Sequence, residues 1–318
     1  MVEKHRTKII LETDIGNDID DVLALMMIHT LMSRNCCELL AVSINKSNLY
    51  SAVLTDVINA FYQRSEIPIG YTRNGLSSGD GTFIKQISER FSELRKKNEY
   101  YESVSLLRKI LAENADNSVV IVSIGLLSNL AELLISKADE YSDLPGIELV
   151  MRKVKCVCCM GGNFSNEALA SRKDCFAEYN IAEDIVSSRN VINNWPGKII
   201  FAGWEVGAKI VYPAESILND FKWAQEHPGV EAYKIFKQMP YDRPCWDLTA
   251  VLQAVCPNKY FKLSRPGMVR VNENNTFSFI NDANGNHRYL ILDDNRIDEI
   301  KSFLIELCTV PVGSLVKG

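Results

Sequence analysis

The beginning of the chain lacks an apolar segment of the length that targeting and membrane insertion require. Its only apolar run there, Ile9–Leu11, is far shorter than the core of a signal peptide or a membrane helix. We therefore expect a cytoplasmic protein that does not act at a membrane.

Positive charge is not in excess, because 35 Lys and Arg residues stand against 40 Asp and Glu residues, and no run of Lys and Arg approaches the length of a basic arm. Proteins that bind nucleic acid usually present a basic patch to the phosphates, so the net charge of −5 argues against such a partner. Hydrophobic residues at 47% and charged residues at 24% are instead typical of an ordinary globular protein.

Paired cysteines are not expected either. The chain has nine cysteines, an odd number, and most lie in apolar surroundings. Such residues are usually small buried hydrophobic side chains in a reducing compartment. Cys156 and Cys158 point to one face of a predicted strand, and no histidine lies nearby to complete a zinc site.

The first half of the sequence alternates short apolar runs with helical periodicity. Continuous apolar strands separated by helices indicate an open, mainly parallel sheet covered by helices on both faces. No repeat or Pro/Ser-rich linker interrupts the chain, so we predict one α/β domain over residues 1–318. The predicted strands are Lys8–Thr13, Glu38–Ile44, Ile67–Ile69, Val119–Ile124 and Val154–Met160, and the predicted helices are Asp20–Ser33, Tyr50–Phe61, Ser103–Glu113 and Asn129–Ser136.

Two regions depart from this alternation. Asn74–Thr82 is rich in Gly, Ser and Asn, which fits either a solvated insertion or a lid over a site, and a charged helix is predicted over Phe83–Asn98. Near the C-terminus, Met268–Val271 and Thr276–Ile280 flank a polar turn and predict a β-hairpin.

An acidic loop follows the first predicted strand and leads directly into a helix. Ligands of open α/β sheets bind at the carboxyl ends of strands. Clustered carboxylates repel one another unless a cation neutralises them, and their hard oxygen atoms favour Ca²⁺ or Mg²⁺. The alternative is that one aspartate caps the helix and the others are solvated. The acidic residues are Glu12, Asp14, Asp18, Asp20 and Asp21.

Two common acidic motifs do not fit this loop. An EF-hand counted from Asp14 has Ile19 where glycine is needed and Leu25 where glutamate is needed. A phosphatase of the haloacid dehalogenase type needs an aspartate nucleophile where this chain has Glu12.

A third pattern extends along much of the chain. It consists of Glu12–Gly16 followed by Asp20–Asp21, then Ala41–Asn48, Val122–Ala131, Met160–Gly162, Glu178–Asn180 and Trp246–Asp247. In this order the segments resemble the motifs of the inosine–uridine nucleoside hydrolase family, which begins with a D-x-D-P-G-x-D-D loop. The resemblance implies a nucleoside hydrolase-like fold.

The resemblance also implies a site. A calcium ion would be held by Asp14, Asp21, Asp247 and the carbonyl of Ile124. Asp14 would also act as the general base toward the attacking water. The residues implied to contact the ribose are Asp20, Asn48, Glu178 and Asn180.

Several positions depart from the family pattern. The loop contains two extra residues, Asn17 and Asp18, so either Asp18 or Asp20 can occupy the ribose position. Ile15 replaces a proline of the family pattern, and Arg172 replaces an asparagine. Trp246 replaces a histidine that can help protonate a purine, and an indole N–H is not an acid near neutral pH.

Two further segments, Gly203–Gly207 and Arg243–Pro244, have no clear counterpart in these motifs. Glu205 within the first of them follows a predicted strand, and it is a candidate to face the substrate together with Trp246. A surface role for Glu205 is the alternative.

The sequence therefore predicts a metal-dependent hydrolase that cleaves a ribonucleoside or a related N-riboside into ribose and base. The main alternative is an altered relative that binds a ribosyl ligand without efficient turnover, and a metal-dependent phosphatase is a weaker one. By family analogy we expect a homodimer or homotetramer.

Overall fold

The computed structural model describes residues 6–76, 81, 83–170, 178–272 and 277–314. Strands and helices alternate along most of this chain. The strands are β1 (Thr7–Thr13), β2 (Cys37–Ile44), β3 (Ile69–Tyr71), β4 (Tyr101–Glu102), β5 (Val119–Ser123), β6 (Val154–Met160), β7 (Ile199–Ala202), β8 (Val211–Tyr212), β9 (Arg243–Pro244), β10 (Lys262–Leu263), β11 (Gly267–Val271), β12 (Phe277–Asn281) and β13 (His287–Ile291).

The helices differ widely in length, and the longest pack along the sheet. They are α1 (Asp20–Ser33), α2 (Leu49–Phe61), α3 (Phe83–Arg90), α4 (Ser103–Glu113), α5 (Ser128–Ile135), α6 (Gly146–Lys153), α7 (Asn166–Ala170), α8 (Tyr179–Glu183), α9 (Ile185–Asn194), α10 (Trp204–Lys209), α11 (Ala214–Asn219), α12 (Pro228–Phe236), α13 (Trp246–Val255) and α14 (Ile297–Thr309).

One sheet of eleven strands organises the fold, with the order β12-β11-β13-β7-β6-β5-β1-β2-β3-β4 and β10 beside β13. Neighbours from β13 to β4 pair in parallel, whereas β10, β11 and β12 form the antiparallel pairs at the other end. The mainly parallel, mixed sheet with helices on both faces is therefore confirmed, as are the antiparallel C-terminal strands.

Side chains of the central strands alternate between two cores. Ile9 and Leu11 of β1 enter the core formed with α1, α13 and α14, while Ile10 enters the opposite core formed with α4 and α5. Because successive side chains of a strand point to opposite faces, a strand buried on both sides reads as a continuous apolar run. This burial holds β1, β5 and β6 side by side with their carboxyl ends at one edge.

The predicted helix Phe83–Asn98 is too long, because α3 ends at Arg90. The chain beyond it is captured by Asp56, whose Oδ2 accepts hydrogen bonds from the backbone N–H groups of Lys96 (2.9 Å) and Lys97 (2.8 Å). These tertiary bonds replace the bonds that a continued helix would make within itself.

The third strand is displaced from its predicted position. Ile67–Ile69 was expected, whereas β3 runs over Ile69–Tyr71 and the carbonyl of Pro68 accepts a bond from the N–H of Val42 at 3.0 Å. Pro68 has no N–H of its own to donate to the ladder, so the strand begins after it.

The described cysteines are all free. Within the described ranges, no helix combines the length and apolar character that crossing a membrane requires. Residues 77–80 and 82 of the Asn74–Thr82 loop lie outside the described residues, as do Arg172, Cys175 and residues 273–276.

A buried histidine begins α12 and bridges it to α2. The Nδ1 atom of His227 accepts hydrogen bonds from the N–H groups of Gly229 (3.1 Å) and Val230 (3.4 Å), and its Nε2 lies 3.2 Å from the hydroxyl of Tyr62. Burial lowers the pKa of His227 from 6.5 to about 3. The imidazole therefore remains neutral in the folded protein at pH values where it becomes protonated in the unfolded chain.

This depressed pKa predicts a pH dependence of stability. The stabilisation from neutral His227 is complete above pH 6.5 and is lost as the pH falls toward 3, at ~1 kcal/mol per pH unit. His227→Asn keeps a favoured helix cap without a titrating ring, so its unfolding temperature should fall less than that of the wild type between about pH 7 and 5. Tyr62→Phe is the matched control and should parallel the wild type. If the unfolding temperatures of all three proteins fell equally over this pH range, His227 would not be the titrating group.

Candidate functional site

A cavity of ≈ 450 Å³ opens at the carboxyl edge of the parallel strands. Its walls come from the segments that follow β1, β5, β6 and β7 and from the segment that leads into α13. The lining residues are Asp14, Asn17, Asp18, Asp20, Asp21, Ile124, Met160, Glu178, Tyr179, Asn180, Trp204, Arg243, Trp246 and Asp247.

The acidic loop after β1 is held by its own side chains and by a close glycine. The hydroxyl of Thr13 donates to Oδ1 of Asp21 and accepts a bond from the N–H of Ile15 at 3.0 Å. Gly125 lies against the loop so closely that a Cβ there would approach the nitrogen of Asp14 to 2.4 Å and its Oδ1 to 2.8 Å. A larger residue at position 125 would therefore displace the loop.

Asp20, Asp21 and Asp247 bring carboxylate oxygens within 4.8 Å of one another. Asp20 and Asp21 occupy the first turn of α1, and Asp247 occupies the first turn of α13. Oδ2 of Asp20 also accepts a bond from the N–H of Asp247 at 3.2 Å, which joins the two helix starts. Buried, hard oxygen ligands at this spacing can hold a divalent cation. Asp20 thus lies with Asp21 and Asp247 in this cluster, while Asp14 lines the same cavity.

Burial makes these carboxyl groups unusually basic. It raises the pKa of Asp14 to about 6 and that of Asp20 to about 7. The pKa values of Asp21 and Asp247 rise well above their usual range, through burial first and then through the neighbouring aspartates. Ionising all of these groups together requires nearby positive charge.

Glu178 and Asn180 occupy the wall that follows β6. The carboxylate of Glu178 accepts bonds from the N–H groups of Asn180 (2.9 Å) and Gly162 (3.3 Å), and burial raises its pKa to about 7. The side-chain amide of Asn180 donates to the carbonyls of Ile124 (3.2 Å) and Met160 (3.3 Å). Asn180 thus connects the carboxyl ends of β5 and β6.

Two of the predicted substrate-binding residues have other contacts in the described structure and are not among the residues that line this cavity. Asn48 caps α2, where its side chain accepts a bond from the N–H of Tyr50 at 2.8 Å. Glu205 is half-buried and accepts a bond from the N–H of Phe164 at 2.9 Å.

Glu12 has no exposed surface and is not among the residues that line the cavity, so it cannot act as the nucleophile of a phosphatase. Its Oε2 accepts bonds from the side-chain amides of Asn45 and Asn129, both at 3.2 Å, and burial raises its pKa to about 8.

Trp246 forms a wall with two residues that were not assigned roles from the sequence. Its Nε1 donates to the carbonyl of Trp204 at 3.0 Å, and the guanidinium carbon of Arg243 lies 5.1 Å from the Trp246 ring centroid. Arg243 is held by a salt bridge to Asp18. The sequence feature that could have indicated Trp204 and Arg243 as site residues is their position in Gly203–Gly207 and Arg243–Pro244, the two segments without a counterpart in the family motifs.

Lys46 and Tyr179 also belong to the site. Tyr179 lines the cavity, and its hydroxyl accepts a bond from the side-chain amide of Asn17 at 3.4 Å. Lys46, which is 1% exposed, donates to Oδ1 of the same Asn17. Lys46 follows the carboxyl end of β2, where ligands of open α/β sheets bind, and this position in the sequence could have indicated it as a site residue.

The same cavity combines a carboxylate-rich wall with an aromatic and cationic one. The first wall can hold a metal ion and stabilise positive charge that develops on a sugar. The second can stack against a planar group. This division suits the cleavage of a bond between a sugar and a ring.

Structural comparison supports the fold. A plant nucleoside hydrolase superposes with a TM-score of 0.70 at 17% identity, covering 96% of this chain and 100% of the other. The inosine-uridine preferring nucleoside hydrolase of Bacillus anthracis gives a TM-score of 0.70 at 15% identity, covering 95% and 99%. The type III effector protein XopQ, in complex with adenosine diphosphate ribose, gives 0.69 at 15% identity, covering 96% and 94%.

Sequence comparison assigns the family. No curated protein sequence matches the chain. A family profile described as inosine-uridine preferring nucleoside hydrolase matches residues 9–287, which includes every residue that lines the cavity. The chain therefore belongs to the inosine-uridine preferring nucleoside hydrolase family, a family of N-glycosidases.

Proposed function

We propose that the protein hydrolyses the N-glycosidic bond of a ribonucleoside or related N-riboside, with calcium as its metal and Asp14 as its general base. The observation that carries this proposal is the convergence of buried carboxylates on one cavity at the carboxyl edge of the sheet. They are Asp14, Asp20, Asp21, Glu178 and Asp247.

The residues present fit a calcium ion. Asp21 and Asp247 supply carboxylate oxygens from two helix starts, and Asp14 and Ile124 line the same cavity. We assign these four residues as its ligands, with Asp20 supporting the cluster through the N–H of Asp247. When bound, the cation supplies Lewis acidity that lowers the pKa of a water molecule and orients it.

The protein's own side chains account for the remaining steps. Departure of the base leaves an oxocarbenium-like ribosyl cation, which the surrounding carboxylates stabilise. Asp14 accepts the proton of the attacking water. Asp20, Glu178 and Asn180 are assigned to the ribose hydroxyls.

The leaving-group side has an aromatic surface and a fixed cation. The indole N–H of Trp246 already donates to Trp204, and no histidine is among the described residues that line the cavity. Tyr241 is not an available acid either, because its hydroxyl donates to the carbonyl of Tyr233 in the core. We therefore propose that this enzyme favours leaving groups that depart without protonation.

A second candidate is a relative that binds a ribosyl ligand without efficient turnover. It is favoured by Trp246 in the position of the family's histidine and by structural similarity to XopQ, whose structure holds adenosine diphosphate ribose. A panel of nucleosides separates the two candidates, because release of reducing sugar supports hydrolysis and tight binding without release supports the altered relative.

We propose one domain acting on small molecules in the cytoplasm as a homodimer or homotetramer. The continuous eleven-stranded sheet, which takes strands from both halves of the chain, supports a single domain. Exposed apolar side chains on packed helices, Ile135 of α5 and Val186 of α9, supply surface for contact between subunits.

The metal assignment predicts the behaviour of Asp247→Ala. Removing one ligand should abolish tight Ca²⁺ binding in a calorimetric titration and remove the rise in unfolding temperature that bound Ca²⁺ produces. Asp294→Ala is the control, because Asp294 is an exposed carboxylate paired with Lys209. Undiminished affinity in Asp247→Ala would exclude Asp247 as a ligand.

The assignment of Asp14 as the base predicts that Asp14→Asn folds normally but loses at least ~10²-fold in kcat. Asp20→Asn should reduce kcat/KM more than Asp18→Asn, because Asp20 is buried in the cluster while Asp18 pairs with Arg243. A steady-state comparison of the three variants is the measurement. If Asp18→Asn reduced kcat/KM more than Asp20→Asn, Asp18 would be the residue at the ribose.

The described residues of the leaving-group wall include no general acid, and this predicts the order of substrates. A nitrophenyl riboside, whose leaving group needs no proton, should exceed inosine in kcat/KM by about 10²-fold or more, the usual contribution of a general acid. Trp246→Phe should change the nitrophenyl rate little, since stacking is retained. Equal kcat/KM values for the two substrates in the wild type would show that an efficient acid exists.

A further inference from the structure

A lysine is buried within the acidic site. Lys46 follows β2 and is only 1% exposed, although lysine is rarely buried this completely in folded proteins. Its Nζ donates to Oδ1 of Asn17, and Nδ2 of Asn17 in turn donates to Oδ2 of Asp14. A chain of two hydrogen bonds thus connects a cationic side chain to the proposed general base.

The charges around Lys46 explain why it is tolerated there. Buried carboxylates repel one another and each loses solvation, so a nearby positive charge offsets part of both costs. The positive charge of Lys46 favours the ionised forms of Asp14 and Asp21. Lys46 therefore acts on the carboxylates directly by its charge as well as through Asn17.

The same contacts restrict the orientation of Asp14. One oxygen, Oδ2, is bonded to Asn17, and the other, Oδ1, lies so near Gly125 that a Cβ there would approach it to 2.8 Å. An amide whose oxygen accepts from a cation is also a stronger donor through its N–H. The carboxylate of Asp14 is therefore held through Oδ2, with Lys46 as the charged support of that bond, while the close approach of Gly125 limits the space beside Oδ1.

We propose that Lys46 is a positioning residue that orients Asp14 through Asn17 and supplies resident positive charge to the carboxylate cluster. The site then keeps its arrangement when no metal ion is bound. The kinetic consequence rests on the proposed hydrolysis, whereas the effects on stability and Ca²⁺ binding do not.

Lys46→Met tests the charge. It keeps a long apolar side chain but removes the positive charge, so the unfolding temperature should fall more in a chelator than in saturating Ca²⁺. The Ca²⁺ dissociation constant should fall about tenfold, because the cation no longer meets a resident positive charge. The kcat value should fall with little change in KM.

Lys97→Met is the matched control. Lys97 is also largely buried and pairs with Asp56 at 3.6 Å, but its partners Asp56 and Ser65 do not line the cavity, whereas Asn17, the partner of Lys46, does. Its replacement should lower the unfolding temperature equally with and without Ca²⁺ and should leave the Ca²⁺ dissociation constant and kcat unchanged. This is the pattern expected of a lysine whose role is only structural.

Asn17→Ala separates orientation from charge. It breaks the chain to Asp14 but keeps Lys46, so kcat should fall while Ca²⁺ affinity does not rise. Lys46→Arg, which keeps the charge, should retain the wild-type Ca²⁺ affinity, and Lys46→Gln, which also removes the charge, replaces Lys46→Met in each comparison if that variant fails to fold.

The proposal is overturned if Lys46→Met behaves like Lys97→Met, or if Lys46→Arg changes Ca²⁺ affinity as much as Lys46→Met does. A wild type that releases no ribose from any riboside refutes the proposed function instead. In that case the metal-free unfolding temperatures and the Ca²⁺ titrations still decide the role of Lys46.

Discussion

Mutual repulsion among buried carboxylates is the constraint on which the site depends. Asp20, Asp21 and Asp247 lie within a few ångströms of one another, in the first turns of α1 and α13. Helix N-termini carry partial positive charge and unpaired N–H groups, so these positions favour negative side chains. Two helix starts, the hydroxyl of Thr13 and the charge of Lys46 together offset a repulsion that would otherwise disrupt the edge of the sheet.

The sheet makes this concentration of charge possible. Strands β1, β5 and β6 pair in parallel and are buried on both faces, so their carboxyl ends are held in fixed register. Asp14, Ile124 and the backbone that bonds Glu178 and Asn180 all follow directly from those ends. A packed double core thus provides the rigidity that the charged edge cannot provide for itself.

The elements that could be predicted from the sequence are those whose local pattern agrees with their packing. The helix Asp20–Ser33 and the strand Val154–Met160 were predicted with their observed bounds, since a largely apolar sequence and nearly complete burial coincide there. The helix after Phe83 ends early because Asp56, distant in sequence, binds the backbone of Lys96 and Lys97. No local pattern contains that information.

The same limit applies to the site. The motifs led to Asp14, Asp20, Asp21, Glu178, Asn180 and Asp247, all of which line the cavity. They did not lead to Lys46 or Arg243, whose importance comes from partners far away along the chain. Asn48 is not among the lining residues, and its side chain caps α2, because a side chain placed at a helix start can satisfy the backbone there.

The two extra residues of the acidic loop connect the two walls of the cavity. Asn17 bonds to Lys46 and Asp14 on the carboxylate side and contacts the hydroxyl of Tyr179. Asp18 binds Arg243, whose guanidinium lies over the ring of Trp246 in the aromatic wall. A shorter loop without Asn17 and Asp18 would leave both cations without these partners. Asn17 holds the proposed base Asp14, and the adjacent Asp18 holds Arg243 of the leaving-group wall. A change at that wall can therefore displace the base through these two inserted residues.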